Sequence, residues 1–322
     1  IEVQRSRVTA NRGLGVGAVG ARAAVHLWRS IVHDNEGPPG LPARGVDVSA
    51  GGRLDADSTL IAENQQVGVN VNGAGSQVFL RDSAILSTLP DARYVAGFGL
   101  QATEGGRADL DRVLITTSTR AGLSVNGAGA SASLRDVIIS DVRPATVLAR
   151  PSQGFGVYVA RGASLTAERL AVASVHGAAV VSAYDTAPAA VDVRDLFVRD
   201  VQPAQVRTQE PLGSPVAYGL HVSGRSHMTV RRGVIDLAEW GFFRSGGVLD
   251  LEDMVIARQE QAAGATTGRA EGEDLWMRGT CTRDTPRAEV VRDAQLPSVL
   301  IDIPRLGCVT FPVCDEAKDG GP

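Results

Sequence analysis

Residues Gly122–Asp141 read GLSVNGAGASASLRDVIISD, and the fold follows from this stretch because it recurs. Gly68–Ser87 reads GVNVNGAGSQVFLRDSAILS, and Gly99–Thr116 reads GLQATEGGRADLDRVLIT. Gly156–Ala173 (GVYVARGASLTAERLAVA) and Gly219–Asp236 (GLHVSGRSHMTVRRGVID) keep the same order of features. Each copy has an anchor glycine, apolar-x-apolar, a small or glycine turn, apolar-x-apolar, a charged pair, and a third apolar-x-apolar. Period-two alternation is the pattern of a strand with one buried face. Three strands this short cannot bury that face alone, but stacked copies can. The expected fold is all-β, a parallel β-helix with three strands in each coil.

Anchors at Gly13, Gly45, Gly68, Gly99, Gly122, Gly156, Gly177, Gly219 and Gly241 predict about nine coils, spaced by 32, 23, 31, 23, 34, 21, 42 and 22 residues. Long and short coils alternate, so the unit reads as a two-coil repeat. The extra residues enter at one corner, after the third strand, as segments 35–44, 88–97, 142–154 and 201–217. Each carries Pro and Arg and lacks a periodic pattern, so each reads as a loop on one edge of the solenoid. Inward positions of the first strand start with Val46/Val48, Val69/Val71, Leu100/Ala102 and Leu123/Val125. The second strand supplies Val78/Leu80, Ala108/Leu110 and Ala132/Leu134, and the third supplies Ile85, Ile115 and Ile139. Small polar residues (Ser49, Asn72, Thr103, Asn126) line one corner. Charged doublets (Arg81-Asp82, Asp111-Arg112, Arg135-Asp136, Glu168-Arg169, Arg194-Asp195) flip sign order at some steps, as a register and solubility device.

The chain has 322 residues and a formal charge of −4, with 43% hydrophobic but only 4% aromatic residues. Aliphatic filling of a narrow tube fits that balance. The charge gives no basis for nucleic-acid binding, no run approaches the roughly 18 apolar residues of a membrane span, and no cofactor is implied. Ile1–Val8 reads as the tail of a coil, as if further residues preceded it. The regular pattern covers 1–257. Residues 258–322 read as a linker followed by a cysteine-containing cap and a tail, with short strand-like runs at Asp274–Met277, Glu289–Arg292, Val299–Ile303 and Cys308–Phe311. A cap is expected because a solenoid's end exposes apolar side chains and strand edges. Cys281, Cys308 and Cys314 are the only cysteines, and one disulfide with one thiol left over is the simplest count.

With their G-[VL]-x-V and L-R-D-V-x-I units, the coils from Gly13 to Ala257 resemble the right-handed parallel β-helix repeats of the pectin-lyase-like superfold, and in particular the large secreted or surface β-helix proteins of GC-rich bacteria. The enzymes of that superfold are mostly polysaccharide lyases and hydrolases. The resemblance implies that the outward face of the first strand, flanked by the corner loops, is where a sugar chain lies.

On that face the second residue after each anchor gives Asp47, Asn70, Gln101, Ser124, Tyr158, Ala179 and His221, a polar column with an aromatic ring suited to a glycan. Arg93, Arg150 and Arg207 of the inserts are expected beside it. Phe98, Phe155, Tyr218 and Trp240 precede anchors, and bracing of the inserts is preferred over ligand stacking. Glycoside cleavage needs two carboxyls roughly 5–9.5 Å apart, and Asp47 alone is acidic in the column; Asp91 and Glu210 of the inserts are the reserve. No catalytic residue is assigned. The two Gly-Gly-Arg-x-Asp stretches, Gly51–Asp55 and Gly105–Asp109, lack the tandem spacing of a Ca²⁺-binding roll. His26, His33, His176, His221 and His227 lack partners at metal-ligand spacing, so no metal site is assigned. The expectation is a non-catalytic extracellular or cell-surface scaffold, adhesive in use, that binds glycan or a protein partner. The rivals are a polysaccharide lyase or hydrolase, and a structural assembly module.

Overall fold

The computed structural model describes residues 1–37, 43–90, 97–144, 154–183, 186–204, 217–260, 262–267 and 275–283. All regular structure in them is strand, and every strand pairing is parallel. The pairing repeats coil on coil. Val69 and Leu123 flank Leu100 in the first-strand stack, Leu80 and Leu134 flank Leu110 in the second, and Ile85 and Ile139 flank Ile115 in the third. This is the parallel β-helix expected from the repeats.

The lumen is aliphatic, as the period-two alternation requires. Val46, Val48, Leu54 and Ile61 of one coil and Val69, Val71, Val78 and Ile85 of the next are all 0% exposed. Each fully buried side chain of this kind contributes about 1.5–3 kcal/mol. β-branched residues suit a wall whose neighbours stand directly above and below. Among the residues with described side chains, polar groups occupy inward first-strand positions at Ser182, level with Val159 and Val222, and at Arg244, level with Val222. Ser182 donates to the Ala189 and His227 carbonyls, and Arg244 donates through Nη1 to the Gly247 carbonyl at 2.9 Å.

The anchor phase differs from the expectation in two coils. Val16 pairs with Val46, so the first anchor is Gly15 and not Gly13. Val157 pairs with Val180 and Tyr158 with Val181, so Ala179, not Gly177, holds the anchor position. Gly177 pairs instead with Gly154. The alternation of long and short coils survives, with spacings of 30, 23, 31, 23, 34, 23, 40 and 22 residues. Where the anchor is glycine, contact and not dihedral angle is the reason. A Cβ at Gly99 would lie 2.6 Å from the Gly122 carbonyl oxygen of the next coil and 2.4 Å from Ile115 Cγ2.

Two corners turn on single residues in the left-handed region. Between the second and third strands these are Arg5, Arg29 and Ser58 in the first coils, then Asp82, Arg112, Asp136, Arg169, Asp195, Arg232 and Asp253, with φ from 46° to 60°. Aspartate tolerates this region better than arginine does. Each later arginine reaches back to the aspartate of the preceding coil: Arg112 to Asp82, Arg169 to Asp136, and Arg232 to Asp195. From Asp82 onward the sign therefore flips at each step of this column, and the ion pairs join coils two by two. After the third strand the corner residues include Ser87, Thr117, Asp141, Ser174 and Asp200.

An asparagine ladder fills the inner side of that second corner in the early coils. Asn11 Nδ2 donates to Asn35 Oδ1 at 2.9 Å, and Asn35 Nδ2 donates to Asn64 Oδ1 at 2.7 Å. Asn64 Nδ2 donates to the Val32 carbonyl, and Asn35 and Asn64 are 0% and 1% exposed. By register the column continues as Thr88 and Ser118, then turns apolar at Val142, Val175 and Val201.

Coil stacking continues past Ala257, into the stretch expected to be a linker. Ala262–Thr267, Leu275–Arg278 and Cys281–Arg283 stack on the first, second and third strands of the preceding coil. The strand-like run expected near Asp274–Met277 is thus one side of a further coil, not a cover across its end. The other three runs lie outside the described residues. Cys281 is disulfide-bonded, while Cys308 and Cys314 lie outside the described residues.

Candidate functional site

The anchor glycine shapes the outward face of the first strand. Its inward direction leaves the residue just before it and the residue two after it on the same outer side. Phe155 and Tyr158, three positions apart, accordingly stack with centroids 5.2 Å apart and planes at 24°. Two columns run side by side on this face. One contains Arg44, Val67, Phe98, Ala121, Phe155, Ala178, Tyr218 and Trp240; the other contains Asp47, Asn70, Gln101, Ser124, Tyr158, Val181, His221 and Phe243.

The face has a polar half and an aromatic half. In the polar half Asn70 Nδ2 donates to Asp47 Oδ1 at 2.7 Å, Ser49 Oγ donates to Oδ2 at 3.3 Å, and Arg44 Nη1 also donates to Oδ1. Asp47, Asn70 and Ser124 are nearly buried, at 9%, 3% and 2% exposed, while Gln101 is half-buried. The aromatic half comprises the Phe155/Tyr158 stack and a second group two coils on. There Tyr218 and Phe243 stack at 4.7 Å and 16°, and His221 packs at 5.4 Å from both rings. All five side chains are half-buried. Burial lowers the His221 pKa to about 4, so the imidazole is neutral near pH 7; its Nε2 lies 3.4 Å from Ser245 Oγ. Burial, with a lesser contribution from Glu239, raises the Tyr218 phenol.

Asp47, Asn70, Gln101, Tyr158 and His221 therefore do share one face. Ala179 does not belong to it: it is buried at the anchor position, and Val181 stands in its place. Arg93, Arg150 and Arg207, with Asp91 and Glu210, lie outside the described residues. Phe243 was missed, although carrying the column one coil further, two residues past Gly241, reaches it. The rings before the anchors also do more than back the loops, because Phe155 and Tyr218 stack on members of the outward column. Among the described residues Asp47 is the one carboxylate in that column.

One histidine has acidic neighbours that its sequence spacing did not suggest. His33 Nδ1 lies 2.6 Å from Asp34 Oδ2, and Glu63 completes a group of three whose ligand atoms lie within 4.8 Å of one another. Arg7 Nε donates to the other ring nitrogen, so both nitrogens of this imidazole are engaged by protein.

No family model and no curated protein matches this chain. Among solved structures, the chain is similar to the catalytic unit of a thermostable GH87 alpha-1,3-glucanase from Streptomyces thermodiastaticus strain HF3-3, at 15% identity and a TM-score of 0.40, over 88% of this chain and 64% of that one. It is also similar to a GH87 alpha-1,3-glucanase catalytic domain in complex with tetrasaccharides, at 9% identity and a TM-score of 0.35, over 92% of this chain and 62% of that one. The chain thus spans less than two thirds of the length of either structure.

Proposed function

We propose that this chain is a non-catalytic β-helix scaffold that holds a glycan along the outward face of its first strands. The observation that carries the reading is the pair of ring groups, Phe155/Tyr158 and Tyr218/His221/Phe243, in line with the polar run Asp47–Asn70–Gln101. Tyr158 and His221 stand two coils apart with Val181 between, or about 10 Å at the usual strand spacing. A sugar chain parallel to the tube axis would meet rings at both places, with amide and carboxylate groups further along to hold its hydroxyls. Sugars present an apolar C–H face and a polar rim, the combination that aromatic rings beside hydrogen-bonding groups complement.

Two observations support the rest of the reading. Asp47 is held by Arg44, Asn70 and Ser49 instead of facing a second carboxyl across a bond to be cleaved. The disulfide at Cys281 suits an oxidising, extracellular compartment.

Affinity electrophoresis through gels cast with soluble polysaccharides, together with a reducing-end assay on the same panel, tests the proposal. Retardation by at least one polysaccharide is expected, with a loss of tenfold or more in Tyr158→Ala and in Phe243→Ala and no release of reducing ends. Absence of retardation, or variants that migrate as wild type does, overturns the binding site. Released reducing ends would leave the site standing and replace the scaffold with a hydrolase.

A further inference from the structure

The two Gly-Gly-Arg-x-Asp stretches play no part in the first-strand face, and they make a separate arrangement on the second strands. Gly51 and Gly105 turn at φ +83° and +85°, and a Cβ on Gly52 or Gly106 would lie 2.0 Å or 2.5 Å from a carbonyl oxygen of the preceding coil. The glycine pair thus admits a tight corner that delivers arginine and aspartate to the same outward side, two residues apart. Each pair closes on itself as a flat fork. Arg53 donates through Nε and Nη2 to the two oxygens of Asp55, both at 2.8 Å, and Arg107 does the same to Asp109 at 2.8 Å and 3.1 Å.

Phe79 belongs to the coil between them. Its register neighbours in the outward column are Asp55 on one side and Asp109 on the other. The Arg53 guanidinium lies 4.5 Å from the ring centroid. Phe79, Arg53, Asp55 and Asp109 line one surface depression together with His26 and Trp28, and His26 Nδ1 lies 3.5 Å from Asp55 Oδ2.

We infer that this depression is a second saccharide-binding site, on a different face from the first. Each fork is neutral overall and leaves two kinds of group for a ligand. The guanidinium keeps its Nη1 donors, and the carboxylate keeps unused lone pairs. Adjacent donors and acceptors match vicinal hydroxyls, which both give and take hydrogen bonds. Phe79 supplies an apolar surface for the C–H face of the sugar. A metal cation is the wrong ligand, because both carboxylates are already bonded through both oxygens to their own arginines. The two forks stand two strand spacings apart, about 10 Å, enough for one or two sugar residues to lie across Phe79. The site does not depend on the reading of the first-strand face.

Isothermal titration of the Tyr158→Ala/Phe243→Ala protein with cellohexaose, laminarihexaose and maltohexaose isolates this site from the other. Binding of at least one oligosaccharide at a stoichiometry near one is expected. Adding Phe79→Ala should raise Kd tenfold or more, as should Asp109→Asn. Neither residue is part of the lumen, and an unchanged circular-dichroism spectrum confirms that the fold is intact. No heat with any of the three oligosaccharides, or a Kd that Phe79→Ala leaves unchanged, overturns the site. Loss of binding in Tyr158→Ala/Phe243→Ala with none left for Phe79 to affect would retain the first face alone.

Discussion

Arg169 donates two hydrogen bonds to Asp136 of the preceding coil, Nε to Oδ1 at 2.5 Å and Nη2 to Oδ2 at 2.8 Å. This pair links two corners that both turn through the left-handed region. The Arg169 hydrogen bonds hold the Asp136 pKa below its ordinary 3.8, with smaller contributions from the charges of Arg169, Arg135 and Arg112. The folded state therefore keeps its proton off longer than the unfolded chain does. The stability this provides is complete above about pH 4 and is lost as pH falls through the lower folded value. Arg169→Gln should bring the Asp136 titration back toward 3.8, measured by carboxyl NMR. Being partly solvated, the pair should contribute about 1 kcal/mol or less at neutral pH.

His221 gives the mildly acidic range its own signature. Burial holds its pKa at about 4 against an ordinary 6.5. As pH falls, the unfolded chain takes up the proton first, so stability declines between about 6.5 and 4 and then levels off. The size should be on the order of 3 kcal/mol. Denaturant titrations of wild type and His221→Gln across this range should show the slope in the first protein and a flatter profile in the second.

The anchor contacts predict that Gly99→Ala is costly although the residue has an ordinary dihedral. The new methyl meets the Gly122 carbonyl and Ile115 Cγ2, and overpacking of this kind costs about 1–3 kcal/mol. A Gly20→Ala change meets nothing within 4 Å and is strained only through its φ of +102°. Chemical denaturation of Gly99→Ala alone and with Ile115→Leu should show partial recovery in the double variant, because leucine lacks the Cγ2 methyl that makes one of the two clashes.

Asn64→Ala should destabilise by about 1–3 kcal/mol, since it removes the acceptor for the Asn35 side chain and backbone N–H and leaves them buried. Asn64→Thr should recover part of this loss, as Thr88 occupies the same column one coil later. Thermal melts of the three proteins are the measurement.

The alternation of apolar residues within each strand determined the coil, its three walls and the filling of its lumen. That pattern is local, and a strand's two faces are fixed by its own pleat. The outward column from Asp47 to Tyr158 was legible for the same reason. Axial neighbours were not legible, because coils differ in length and only backbone pairing sets the phase. That is why Gly15 and Ala179 displaced Gly13 and Gly177, and why Asn11, Asn35 and Asn64 became a ladder. Tertiary structure decided these because a stacking partner lies a whole coil away along the chain, at a distance that each insert changes.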